Sequence, residues 1–145
     1  MDFISLEQLR KYALQESYSN NSWSYLEYFI EELIESGILD DVNHKGYIFY
    51  PKYLWQENKE VELIFISKES ILSCIYNDGY ISVRKRMLRE IVRLEISQMN
   101  LNNSQVELSL IFKDGEKEVF NSNDSNQPWK RKYFTKILEI YKMKT

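Results

Sequence analysis

Cysteine, histidine, proline and glycine are all scarce in this sequence, with one Cys, one His, two Pro and four Gly in 145 residues. The lone Cys74 rules out an internal disulfide, and with His44 far from it in the chain a zinc centre lacks its usual crowd of closely spaced Cys and His ligands. Asp40, Asp41 and His44 form a short carboxylate–imidazole run that reads as a solvated loop. Four isolated glycines cannot build a phosphate-cradling loop or a Gly-x-Ser-x-Gly elbow. Any Ser/His/Asp or Cys/His centre would depend on His44 alone, so no catalysis, metal or cofactor is expected. Long apolar runs are also missing. The longest, Leu63 to Ile66, falls far short of the roughly 20 residues that span a bilayer as a helix. The start, Met1-Asp2-Phe3-Ile4-Ser5, lacks the basic and apolar regions of a signal peptide, and a cytoplasmic location is expected.

Aromatic residues, by contrast, make up 14% of the chain, with 11 Tyr, 7 Phe and 3 Trp, enough large groups to fill one core. The net charge of −3 is unevenly spread. Residues 1–60 hold 11 acids and 5 bases, a net −6, whereas residues 61–145 hold 11 acids and 14 bases, a net +3. Two surfaces of opposite sign are therefore expected.

The first helix is marked by a Ser5–Gln8 capping box, an Ile4–Leu9 staple and an apolar stripe of Leu6, Leu9 and Ala13 running to about Ser17. The second repeats the device, with Ser24 and Glu27 as the box and Trp23 and Tyr28 as the staple. Leu26, Phe29, Ile30, Leu33 and Ile34 follow at helical period, and Gly37 with Ile38 predicts a Schellman stop. From Tyr47 the period changes to two. Strands are predicted at Tyr47–Tyr50, Val61–Ser67, Ser70–Tyr76, Tyr80–Met87, Ile91–Met99, Val106–Phe112 and Lys117–Phe120. Asn77-Asp78-Gly79 and Asp114-Gly115 are tight-turn signals, and such short links imply antiparallel pairing. Pro128 then opens a last amphipathic helix with Trp129, Tyr133, Phe134, Ile137, Leu138 and Tyr141 on its buried side. The fold class is thus α+β: two helices, then a bent antiparallel sheet or partly open barrel of six to seven short strands, stoppered by the terminal helix.

The hairpin Ile71–Val83, the hairpin around Asp114-Gly115 and the helix from Pro128 together resemble the pleckstrin-homology (PH) superfold, and within it the small uncharacterised PH-like proteins of low-GC Gram-positive bacteria. The resemblance implies a PH-like domain over residues 58–145, with residues 1–57 as a helical extension packed on it, and it implies binding of ligands or proteins rather than catalysis. Residues 5–54 carry a second resemblance. A helix ending Leu33 to Leu39, followed by Gly46 to Tyr50, is similar to the end of a winged-helix unit and its wing.

One local feature stands out. Arg84, Lys85, Arg86, Arg89 and Arg93 fall within ten residues, with Glu90 as the opposing charge. With Ile81, Val83 and Met87 placed inward, Arg84 and Arg86 share the outer face. There they form an anion or partner site, or else a solvated, aggregation-resistant strand end. Lys130, Arg131 and Lys132 join this patch if the fold brings them near it. The expected partner is another protein, with an anionic ligand as the next expectation and nucleic acid not expected. Two alternatives have distinct requirements. An immunity or inhibitor-type protein would act through the acidic face Glu27, Glu31 and Glu35, and a winged-helix-like nucleic-acid binder would act through residues 1–60.

Overall fold

The computed structural model describes residues 3–16, 21–56 and 59–144, and only the backbone of 16, 21–24 and 144. Helix α1, Leu6–Glu16, starts as the sequence predicts. The Gln8 amide N–H donates to Ser5 Oγ at 3.1 Å and the Ser5 N–H to Gln8 Oε1 at 3.0 Å, while Ile4 and Leu9 are buried in one cluster. Ser5→Ala removes one acceptor from a helix N-terminus and is expected to cost about 1 kcal/mol, read as a lower urea midpoint at unchanged m-value. Helix α2, Asn21–Glu35, buries Leu26, Phe29, Ile30 and Leu33. The Ser24 box and Trp23 staple lie outside the described side chains.

Gly37 takes the left-handed φ of 79° required to end α2. The stop keeps half of the predicted Schellman pattern, with the Gly37 N–H donating to the Ile34 carbonyl at 3.3 Å, and departs from it at Ile38. Ser36 Oγ donates to the Leu33 carbonyl at 2.9 Å, and the Ile38 N–H turns to Ser36 Oγ instead, leaving Ile38 exposed. Leu39 and Val42 are then drawn into the core, so the predicted loop at Asp40–His44 is a short helix, α3, Asp40–Lys45.

Seven antiparallel strands follow in two sheets. The first has the order β1 (Ile48–Lys52), β2 (Glu62–Ile66), β3 (Ser70–Asn77), β4 (Tyr80–Met87). The second has the order β5 (Ile91–Asn100), β6 (Gln105–Phe112), β7 (Lys117–Asn121). A 3-10 turn at Leu88–Glu90 links them. Pro51 does not end the first strand as predicted. It sits inside β1, which a sheet edge permits because one side of an edge strand needs no donor. β1 precedes residue 58, yet it pairs with β2 from Ile48↔Ile66 to Lys52↔Glu62.

The register shows how the layers stack. Phe49, Leu63, Phe65, Leu72 and Cys74 share one face of the first sheet and pack with α1, α2 and α3. Tyr50, Ile64, Ile66 and Ile71 share the other face and pack with Val106, Leu108, Leu110, Phe112 and Phe120 of the second sheet and with the last helix. The run Leu63-Ile64-Phe65-Ile66 is therefore buried on both sides, which explains its lack of alternation. The last helix, α4, spans Lys130–Lys144 and closes one corner by packing on β6 and β7. Tyr133, Phe134, Ile137 and Ile140 form its buried stripe, and Tyr133 Oη donates to the Pro51 carbonyl. Trp129 differs from prediction. It belongs to a 3-10 turn, Gln127–Trp129, ahead of the helix, and is only half-buried against Phe3.

Candidate functional site

The arginine cluster sits on β4, the outermost strand of the first sheet. Arg84 and Arg86 do share a face, but it is the face turned toward the second sheet, opposite to the sequence expectation. Ile81 and Val83 face the helices instead. The reversal follows from a sheet covered on both sides, where alternation alone does not tell which apolar row meets which layer. Arg86 is 16% exposed at its side chain and stacks over Phe112 at 4.5 Å. It pairs with Asp114 at 3.2 Å and with Glu116. Arg84 lies 3.4 Å from Glu116 and 3.8 Å from Glu118. The Glu116 backbone N–H and the Arg86 guanidinium hold the Asp114 carboxyl below its ordinary range. Lys85, on the helix side, reaches Asp41 at 3.8 Å, and Arg93 pairs with Glu95 at 3.4 Å. Arg89 is exposed in the 3-10 turn, with no ion pair among the described residues.

A second group lies between the sheets. Lys52, Glu62, Ser73 and Arg84 stand on the inner face of the first sheet and meet Glu118 of β7. Lys52 Nζ donates to the Val119 carbonyl and Ser73 Oγ to Glu62. Glu118 is 7% exposed, and burial first, with Glu62 beside it, pushes its carboxyl up to about 7 against the pull of Lys52 and Arg84. Next to it, Tyr50 Oη donates to Asp124 at 2.6 Å and the Asn121 N–H donates to the same carboxylate at 2.9 Å. Burial raises both of these groups, Asp124 and, further, Tyr50. At the edge of this cluster, Glu62 also lines a shallow depression of about 290 Å³ with Tyr53, Lys59, Glu60 and Ile75. Sequence reading missed all of these acids. For the strand residues the signal was the alternation itself, which places Glu118 on the same face as Phe120, Glu62 on that of Ile64, and Lys52 on that of Tyr50.

The third group contains the remaining predicted cations. Lys130 and Arg131, in the first turn of α4, line an open groove of about 540 Å³ with Asn102, Asn103 and Ser104 of the β5–β6 turn and Gln105 at the start of β6. Arg131 Nη1 donates to the Leu101 carbonyl at 3.2 Å and to Ser104 Oγ at 3.3 Å. Lys132 lies 4.2 Å over the Trp129 ring. β6 runs from this groove toward the Asp114 hairpin, so a strand length, roughly 25 Å, separates these cations from Arg84 and Arg86. The fold does not merge the two sets.

The acidic helix face is interrupted. Arg10 forks onto Glu31 at 2.6 and 3.1 Å, Glu27 is half-buried and Glu35 is exposed. His44 is exposed at the end of α3, beside an Asp41 already engaged by Lys45 at 3.5 Å. Cys74 is fully buried, and that burial pushes its thiol up to about 12, which leaves little thiolate. Among the described residues, no helix is long and apolar enough to cross a membrane.

A family model described as a protein of unknown function (DUF3908) matches residues 6–135. No curated protein matches the chain.

Proposed function

We propose that this chain, which belongs to the DUF3908 family of proteins of unknown function, is a non-catalytic PH-like module that works in the cytoplasm and binds another protein along β4. The PH-like reading is supported by a four-stranded meander packed on a three-stranded one, with an amphipathic helix closing a corner. On this reading the module begins at β1, and the helices are an extension laid on its outer face. The Lys-, Asn-, Ile- and Tyr-rich composition goes with a low-GC bacterial source. A non-catalytic role is supported by an exposed His44, an inert Cys74, and acids engaged internally between the sheets.

The observation that carries the docking reading is the edge of β4. This eight-residue strand has no neighbour on its outer side among the described residues. Its backbone N–H and C=O groups there are free to take an added strand. Tyr80, 79% exposed, and Val83 supply apolar contact, while Lys85 and Arg89 select an acidic segment. Exposed ion pairs such as Lys85–Asp41 are worth about 0–1 kcal/mol, so a partner's carboxylates can replace them.

The test immobilises the full chain and quantifies retained proteins by mass spectrometry. Lys85→Glu/Arg89→Glu is expected to lower capture of the specific partner by about tenfold or more, while Glu27→Lys/Glu35→Lys retains it. Loss through the acidic variant alone would replace this reading with the inhibitor-type one. Capture unchanged in both would remove the β4 edge as the contact.

A further inference from the structure

Two strand edges lie open among the described residues, β4 in the first sheet and β5 in the second. They differ in charge. β4 carries Arg84, Lys85 and Arg86 and no acid, so two copies of it repel. β5 carries one base and one acid, Arg93 and Glu95, on either side of Leu94. It turns Leu94 and Ile96 toward the second core, where both are only partly buried. Arg93 and Glu95 point the other way, with side chains 64% and 54% exposed.

When a strand pairs antiparallel with a copy of itself, a two-fold axis falls at one residue, and that residue decides which groups meet. An axis at Arg93 or at Glu95 sets like charges face to face, and one at Ile96 leaves both charges without a partner. An axis at Leu94 sets Arg93 of each copy opposite Glu95 of the other. It also brings Leu94 against Leu94, and Val92, 60% exposed, against Ile96. Within one copy Arg93 and Glu95 already lie 3.4 Å apart, but an exposed ion pair contributes little and exchanges partners readily.

We infer that the open edge of β5 is the contact between two copies of this chain, which join their second sheets about Leu94 into one six-stranded antiparallel sheet. A separate acidic or basic segment would satisfy one of the two charges and oppose the other, whereas a second copy satisfies both. The half-buried row of Leu94 and Ile96 gains cover from the same row of the copy. Register shifts at Val92 and between Ser97 and Asn100 confine the regular strand to Arg93–Ser97. The contact is therefore short, and the dimer forms reversibly with concentration. It uses a different strand from the proposed capture edge on β4.

Sedimentation equilibrium of the full chain over a range of concentrations provides the test. Wild type is expected to pass from the monomer mass to the dimer mass. Arg93→Glu leaves two acids at the seam and Glu95→Arg two bases, and each variant alone is expected to dimerise more weakly by about tenfold. Mixed in equal amounts, the two variants are expected to pair with each other about as well as wild type, because opposite charges then meet across the axis. An ion pair confined to one chain cannot give that rescue. Both sites are exposed, and unchanged circular dichroism spectra verify their folding. Lys85→Glu on β4 is expected to keep the dimer while lowering protein capture, which separates this inference from the preceding one. A wild type that stays monomeric, wild-type dimerisation of both single variants, a mixture that fails to pair, or equal loss in Lys85→Glu would each overturn it.

Discussion

Phe65→Ala is expected to lower the unfolding free energy by about 3–5 kcal/mol, and to shift the loss of helix and of sheet together. Phe65 is fully buried within β2, on the face turned toward the helices. Its ring lies 5.4 Å from that of Tyr47 and 5.3 Å from that of Phe49, within the cluster that includes Leu9, Leu26, Phe29 and Leu33. The opposite face of the same strand carries Ile64 and Ile66 into the second cluster. A cavity at Phe65 therefore loosens the seam between the helices and the first sheet, and that sheet is the common wall of both cores. Against a total stability of about 5–15 kcal/mol, the change consumes a large fraction.

The measurement is thermal unfolding followed by far-ultraviolet dichroism and by tryptophan fluorescence. Both signals should move down together by about 10 °C. Helical signal that persists while the sheet melts would mean that the helices are an independent unit. The same logic applies to a cut at 57/58. It would remove β1 from its pairing with β2 and uncover the row Leu63, Phe65, Leu72 and Cys74, so residues 58–145 alone are expected to aggregate.

What could be read from the chain, and what could not, follows from the same two-sided wall. The Ser5–Gln8 box, the left-handed Gly37 and the turns at Asp78-Gly79 and Asp114-Gly115 are local devices, and each appears where its residues predict. Strand limits agree to within two residues because alternation, or in β2 a short apolar run, begins and ends with the strand. Face assignment is different in kind. β2 and β3 are apolar on both sides, so period two gives two rows without saying which layer each row meets, and Arg84 and Arg86 were placed outward on that ambiguity. α3 was hidden by a segment of six residues with one buried apolar side chain, Val42. On α4, Tyr141 and Ile140 both continue the 133/134/137 stripe, and packing buries Ile140 fully and Tyr141 in part against the same cluster. The acids between the sheets have no sequence signal beyond their place in the alternation, where Glu118 shares a face with Phe120.

Glu118→Gln is expected to stabilise the protein above neutral pH and to leave it nearly unchanged near pH 5. Glu118 meets Glu62 from β2, Lys52 from β1 and Arg84 from β4, with Ser73 of β3 holding Glu62 and Asp124 beyond Lys52. Its folded-state value of about 7 exceeds the ordinary 4.5 of an exposed glutamate. Below pH 4.5 both states hold the proton and the burial penalty is absent. Between 4.5 and 7 the unfolded chain releases a proton that the folded protein keeps, so stability falls as pH rises. Above 7 the folded carboxyl ionises as well and the loss is complete, at roughly 3 kcal/mol for a shift of this size. Gln keeps the shape and a donor toward Glu62 but never ionises. Urea unfolding from pH 5 to 9 should therefore show wild type declining relative to Glu118→Gln by roughly 2–3 kcal/mol, mostly between 5 and 7.5. Asp124, also raised by burial, declines in both proteins and cancels in the difference. Glu118→Ala is expected to be weaker than Gln at every pH, because it leaves a cavity and removes the donor toward Glu62. Parallel pH profiles for wild type and Glu118→Gln would mean that this carboxyl ionises as freely folded as unfolded, and the buried acid pair would then have no consequence for stability.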